Sequence, residues 1–215
     1  DLWMRRDRDN PEKFIGKKQR KDFLVDLGPL VNELPPTPHL FDFGAGAGEI
    51  LDILLYKMKE ATIHLEEPNQ ILMDNYLNRL QKYPHLKKGM TFLEKLEDME
   101  LPHNLKNKVD LALGLHMIYH FNEKELSSAL LKMYELLKVG GKIFLVYADQ
   151  ERSTTGLAAQ YYYQLRGMTE TQEELKSLFR ARNGLLRDGG VAKLIDEKFK
   201  GHKALVTSKS LPSYI

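Results

Sequence analysis

Between positions 39 and 59 the sequence changes character twice within a few residues. His39-Leu-Phe-Asp-Phe43 has the length and apolar content of a short buried strand, and it runs directly into Gly44-Ala-Gly-Ala-Gly48. Glu49 to Lys59 then carries Ile50, Ile53, Leu54 and Met58 at helical spacing. Strand, glycine turn and helix in that order make a βα unit. Three glycines on alternate positions leave a stretch of bare backbone that a bound molecule can lie against, at the amino end of a helix whose first amides have no partner within the helix.

The same alternation continues downstream. Ala61 to Leu65 reads as a second strand, closed by Glu66-Glu67-Pro68 and followed by a helix from Asn69 to Tyr83. Thr91 to Leu93 reads as a weaker third strand, and Val109 to Leu115, nearly continuous in apolar residues, as a fourth covered on both faces. A helix over Glu123 to Leu137, a turn at Val139-Gly140-Gly141 and a fifth strand over Lys142 to Ala148 complete the series. Strands alternating with helices predict an α/β fold, a mostly parallel sheet with helices on both faces. Upstream, Phe23 to Leu34 has helical spacing and is stopped by Pro35-Pro36-Thr37-Pro38; downstream, helices are expected at Leu157 to Leu165, Thr171 to Ala181 and Val191 to Phe199, with a sixth strand at Lys203 to Ser208. The 215 residues therefore read as one domain in three stretches: a helical and basic segment over 1–38, a core over 39–149, and a substrate-facing lid with the last strand over 150–215.

Composition excludes several classes. No run approaches the ~20 apolar residues that a membrane-spanning helix needs. The chain has no cysteine, which removes disulfides, thiolate metal sites and cysteine nucleophiles and is compatible with the reducing cytoplasm, the location expected here. The formal net charge is +2, but the first 21 residues hold eight basic side chains against four acids, so the rest of the chain is slightly acidic. Such an arm either presents a solvated helix face or attracts phosphates.

In open α/β sheets ligands bind beyond the carboxyl ends of the strands, where strand order reverses. The chemistry-bearing residues cluster in those positions. Asp42 ends the first strand; Glu66 and Glu67 follow the second, with Glu67 nineteen positions beyond Gly48, the distance at which an acid holds the two hydroxyls of a ribose. The glycine spacing departs from Gly-x-Gly-x-x-Gly/Ala: the third glycine comes one residue early and Glu49 stands where a small residue belongs. A carboxylate at the helix start repels phosphate, so the pattern favours a nucleoside without phosphates over a dinucleotide.

Four stretches together, Phe41-Asp-Phe-Gly-Ala-Gly-Ala-Gly-Glu-Ile50, Leu65-Glu-Glu-Pro68, Val109 to Phe121 and Leu137-Lys-Val-Gly-Gly-Lys-Ile143, resemble the successive motifs of class I S-adenosylmethionine-dependent methyltransferases. Within that superfamily the chain looks most like the histamine N-methyltransferase-like branch, through Gly44 to Ile50, Glu67-Pro68 and His116-Met-Ile-Tyr-His120, although branch members tend to carry a polar residue where Leu72 falls. The resemblance implies a Rossmann-like methyltransferase fold with S-adenosylmethionine as cofactor. It implies that Asp42 and the Gly44 backbone receive the methionine ammonium, that Ala45 and Gly46 border the donor, and that Glu67 chelates the ribose. It also implies that Pro68 and Leu72 wall the adenine, that Glu97 or Asp98 meets its amine, and that Leu115 lies beside the sulfonium.

His116, Tyr119 and His120 are the candidate catalytic residues, roofing the acceptor, with His116 or His120 as proton acceptor. Two histidines four apart without a third ligand, and without the Glu of His-Glu-x-x-His, do not make a metal site. The expected function is methyl transfer to a small molecule, at nitrogen. The competing readings are an RNA or DNA methyltransferase that uses the basic arm, disfavoured by the absence of an Asn/Asp-Pro-Pro-aromatic signature after the fourth strand, and a binding module without turnover. Class I methyltransferases end with a seventh strand beside the sixth; here it is missing, which points to truncated ends or to a strand supplied by another chain.

Overall fold

The computed structural model describes residues 27–53, 55, 58–115, 117–118, 121–146 and 190–199. The basic arm, the lid helices over 157–181, the expected sixth strand and the candidate residues His116, Tyr119 and His120 lie outside the described residues. The chain divides into two units, Asp1–Leu115 with Met133–Leu145, and His116–Lys132 with Val146–Ile215.

Five strands form one sheet: β1 (His39–Phe43), β2 (Ala61–Glu66), β3 (Leu86–Phe92), β4 (Val109–Leu115) and β5 (Leu137–Val146), in the order β3-β2-β1-β4-β5. β1 runs parallel to both β2 and β4, and β2 parallel to β3. The chain therefore builds outward from β1 in one direction and then returns to build outward in the other, so strand order reverses between β1 and β4. Among the described residues, four helices alternate with or follow the strands: α1 (Glu49–Ile53), α2 (Gln70–Leu80), α3 (Glu123–Leu136) and α4 (Gly190–Lys198). A helical segment over 27–32 precedes β1.

Side-chain alternation along β1 sorts its residues onto two faces. Leu40 joins Ile63, Leu65, Leu111 and Leu113 of the neighbouring strands, with Leu51, Met73, Tyr76 and Leu80 from α1 and α2, in one buried apolar cluster. Phe41 and Phe43, both fully buried, stack with centroids 4.1 Å apart, and Phe92 lies 5.7 Å from Phe41. His64 extends that row at 6.1 Å from Phe41 and 5.4 Å from His39.

Four expectations for the elements need correction. The helix read as Glu49 to Lys59 is α1, Glu49–Ile53, and residues 58–60 form a bend. β3 starts at Leu86, not Thr91, because Leu86-Lys-Lys-Gly is an edge-strand sequence with no apolar run to betray it. β5 starts at Leu137, so Val139-Gly140-Gly141 lies within a strand and is not a turn ahead of it. The helix read as Asn69 to Tyr83 is Gln70–Leu80, with Asn69 as its cap: the Asn69 side-chain oxygen accepts from the amides of Ile71 and Leu72 at 3.0 and 3.3 Å.

Candidate cofactor site

The carboxyl ends of β1 and β2 meet at the glycine turn, and the turn's conformation explains its composition. Gly44, Gly46 and Gly48 have φ of 57°, 58° and 79°, in the left-handed region that side chains resist. At Gly46 an added Cβ would meet only the Glu49 Oε2 at 3.9 Å, so the backbone there is open. At Gly48 the same atom would lie 2.9 Å from the ring of Tyr76, so this glycine is a packing requirement as well.

Three consecutive amides of the turn are held by the end of β2. The Gly44 amide donates to Glu66 Oε2 at 2.9 Å, the Ala45 amide to the Glu66 carbonyl at 2.9 Å, and the Gly46 amide to Glu67 Oε2 at 2.9 Å. Glu67 Oε1 accepts from the Asn69 amide at 2.9 Å, tying the same carboxylate to the start of α2. Each carboxylate oxygen can accept twice, so Glu67, buried and spent once on each oxygen among these bonds, has one acceptor position per oxygen beyond them. The turn amides themselves are committed to carboxylates and a carbonyl. A pyrophosphate would have to displace them and face Glu49.

Glu66 adds a link that the sequence does not disclose. Beyond Gly44 it accepts from the backbone of Leu96, in the loop that follows β3, and lies close to the charges of Glu67 and Glu97. Burial raises its carboxyl from 4.5 to about 7, against the lowering effect of the Gly44 amide. Glu97, half-buried, thus sits on the loop that Glu66 fastens to the glycine turn, whereas Asp98 is exposed and its amide turns back to the Lys95 carbonyl. Pro68 is exposed and Leu72 half-buried in the first turn of α2, directly after Glu67; Leu115, half-buried, ends β4 across the strand-order reversal.

Asp42 is buried on the α2 side of β1, and the Tyr76 hydroxyl donates to its Oδ2 at 3.1 Å. Burial pushes the Asp42 carboxyl up from 3.8 to about 7; the Tyr76 bond opposes that rise, and the charges of Glu49, Glu66 and Glu67 add to it. Tyr76 itself is held well above its ordinary value by burial. Asp42, Gly44, Ala45, Gly46 and Glu67 are thereby brought together. Sequence reasoning missed Tyr76 and Asn69 and gave Glu66 no part of its own; for Asn69 a signal was present, an Asn directly before a helical run.

Known proteins share this fold. Residues 41–143 match a family model described as a methyltransferase domain. A plantazolicin methyltransferase, BpumL, solved in complex with a pentazolic desmethylPZN analog and SAH, superposes with a TM-score of 0.58 at 14% identity, covering 92% of this chain and 68% of that one. A structure from Anabaena variabilis described as a putative methyltransferase of an antibiotic biosynthesis pathway gives 0.53 at 18% identity over 84% of this chain and 61% of that one. A SAM-dependent methyltransferase of Leishmania major is 24% identical over 58% of this chain and 50% of its own, with a TM-score of 0.46. The chain thus spans half to two-thirds of the length of these structures. No curated protein sequence matches it.

Residues 41–143 are thus similar to a methyltransferase domain, and the fold, a parallel sheet flanked by helices, is the Rossmann-like one that these structures share. Among the described residues no helix is long and apolar enough to cross a membrane.

Proposed function

We propose that the whole protein transfers a methyl group from S-adenosylmethionine to a small-molecule acceptor, at a nitrogen atom, in the cytoplasm. The observation that carries the reading is the commitment of the amides of Gly44, Ala45 and Gly46 to Glu66 and Glu67. It leaves a turn lined by carboxylates, suited to a cationic nucleoside and unsuited to an anionic one. When bound, the cofactor supplies a methyl on a sulfonium, already activated toward a lone pair.

The chain's own part is then mostly positional. Glu67 orients the ribose through its two remaining acceptor positions, the bare Gly46 backbone admits the donor, Asp42 attracts the ammonium, and Pro68 and Leu72 limit the adenine. Leu115 closes the β4 side. Holding the acceptor in line at near-attack distance accounts for up to ~7–11 kcal/mol of the barrier without a covalent nucleophile. An amine or imidazole acceptor has to reach that position unprotonated, and His116 or His120, with Tyr119 in the same stretch, is assigned the proton and the acceptor contact. The motifs Gly44 to Ile50 and Glu67-Pro68 support an acceptor of the kind methylated by histamine N-methyltransferase-like enzymes, a small amine.

Calorimetry with S-adenosylhomocysteine, followed by a screen of amines and imidazoles for a mass gain of one methyl, tests the reading. Binding of the homocysteine compound and methylation of a small amine are expected. Glu67→Gln is expected to weaken that binding about 10- to 100-fold, the worth of hydrogen bonds to a charged acceptor, with the fold retained. Tight uptake of a dinucleotide by wild-type protein, with no uptake of S-adenosylhomocysteine, would refute it.

A further inference from the structure

We propose that Tyr76 is a positioning residue that keeps Asp42 ionised for the ammonium end of the cofactor, acting from α2 through one hydrogen bond. The inference rests on the reading above and adds a residue that no part of the methyltransferase motifs contains.

Tyr76 meets the glycine turn and the end of β1 from within the buried apolar cluster. Its ring is fully buried beneath Gly48, so near that a single added carbon there would overlap it, and its hydroxyl ends on Asp42 Oδ2. Asp42 sits at the end of β1, two residues before the turn, in a place where burial favours the neutral acid. Among the described residues, the charged groups that act on it make that worse: Glu49 at the start of α1, Glu66 at the end of β2 and Glu67 just beyond. Among those same described residues, Tyr76 favours the carboxylate. A neutral Asp42 offers an ammonium a dipole, whereas an ionised one offers a charge; the Tyr76 hydroxyl therefore bears on affinity for the amino-acid end of the cofactor and not for its nucleoside end.

Two ligands separate those ends. S-Adenosylhomocysteine carries the ammonium; 5′-methylthioadenosine has the same nucleoside and thioether without it. In the wild-type full chain the ratio of the two association constants, measured by calorimetry from pH 6 to 8.5, is expected to rise with pH through a midpoint at about 7. Glu66 also titrates near neutrality and its charge acts on Asp42, so the measurement is repeated in Glu66→Gln, where the rise of the ratio with pH is expected to remain and its loss would overturn the proposal. Tyr76→Phe keeps the ring under Gly48 and removes the donor. It is expected to displace the rise upward by about one pH unit, lowering the ratio about fivefold at pH 7 and by less than about twofold at pH 8.5.

A purely structural role would lower both affinities at all pH values. That result, or a Tyr76→Phe profile superimposable on the wild type, overturns the proposal while leaving the cofactor assignment intact. Should Tyr76→Phe fail to fold, 3,5-difluorotyrosine incorporated at position 76 decides: its stronger hydroxyl donor is expected to displace the rise to lower pH, and an unmoved profile overturns the proposal. Wild-type protein that binds neither ligand overturns the cofactor assignment and the proposal with it.

Discussion

Gly48 and Gly140 share a backbone conformation, with φ of 79° and 80°, and differ in what surrounds them. Around Gly140 an added Cβ meets nothing within 4 Å; at Gly48 it meets the Tyr76 ring at 2.9 Å and Leu51 Cδ1 at 3.3 Å. Gly140→Ala is therefore expected to cost only the left-handed strain, about 1 kcal/mol, whereas Gly48→Ala adds overpacking against a fully buried ring and should cost about 3 kcal/mol. Denaturant unfolding of the two variants checks the difference, and equal losses would mean that Tyr76 can move aside. The pair also marks what the residue pattern could disclose. Alternating glycines announced an open turn, and Asp42 and Glu67 were legible from their distances to it. That Gly48 is required by a tyrosine 28 positions away was not, since nothing in local spacing says which side chain of a later helix comes to rest beneath the turn.

At the scale of elements, β1, β4 and α3 are visible in the sequence almost to the residue because each has a continuous or periodic apolar pattern. The edges of the sheet are not, and in both cases a glycine hides a long-range contact. Gly141 lies in β5 because a Cβ there would stand 2.8 Å from the Val109 carbonyl oxygen; the Gly-Gly pair looks like a turn, but a close approach of backbone produces the same letters. In β3, Gly89 makes room for His64 of β2: an added Cβ would fall 2.6 Å from His64 Nδ1, the atom that accepts the Met90 amide at 3.0 Å. With Nδ1 accepting, His64 Nε2 carries the proton and donates to His39 Nδ1 at 3.1 Å, which joins three strand positions through two imidazoles. The ladder between β2 and β3 is irregular at this point, between Ile63 and Leu65. Gly89→Ala should destabilise the chain by about 1–3 kcal/mol through overpacking. Added to His64→Ala, it should cost at least about 1 kcal/mol less than it does alone, because the offending ring is gone. A double-mutant cycle on unfolding free energies measures that coupling; strict additivity would show that the Gly89 and His64 positions do not touch.

At the scale of the whole molecule, three buried groups among the described residues tie stability to pH below about 8. Asp42 and Glu66 are raised in the folded chain to about 7 from 3.8 and 4.5, so their contributions are complete below the unfolded values and are lost as pH rises through 7. His64 is lowered to about 4 from 6.5 by burial and by His39, so its contribution is present above 6.5 and is lost as pH falls through 4. From pH 6 to 8 the two carboxyls outweigh the imidazole, and the ligand-free protein should lose on the order of 1–2 kcal/mol of stability over that interval. Asp42→Asn should flatten the decline and raise stability at pH 8, even as it removes the charge proposed to hold the cofactor, the exchange of stability for function expected where a site keeps an acid buried. A ligand whose ammonium sits against Asp42 reverses the account, since it favours the ionised carboxylate. S-Adenosylhomocysteine at a fixed concentration should therefore stabilise the wild-type chain more at pH 8 than at pH 6, whereas the increment for Asp42→Asn should not grow with pH. Chemical unfolding at both pH values, with and without the ligand, provides the comparison; a wild-type increment that shrinks as pH rises would mean that the carboxylates around the glycine turn do not face the cation.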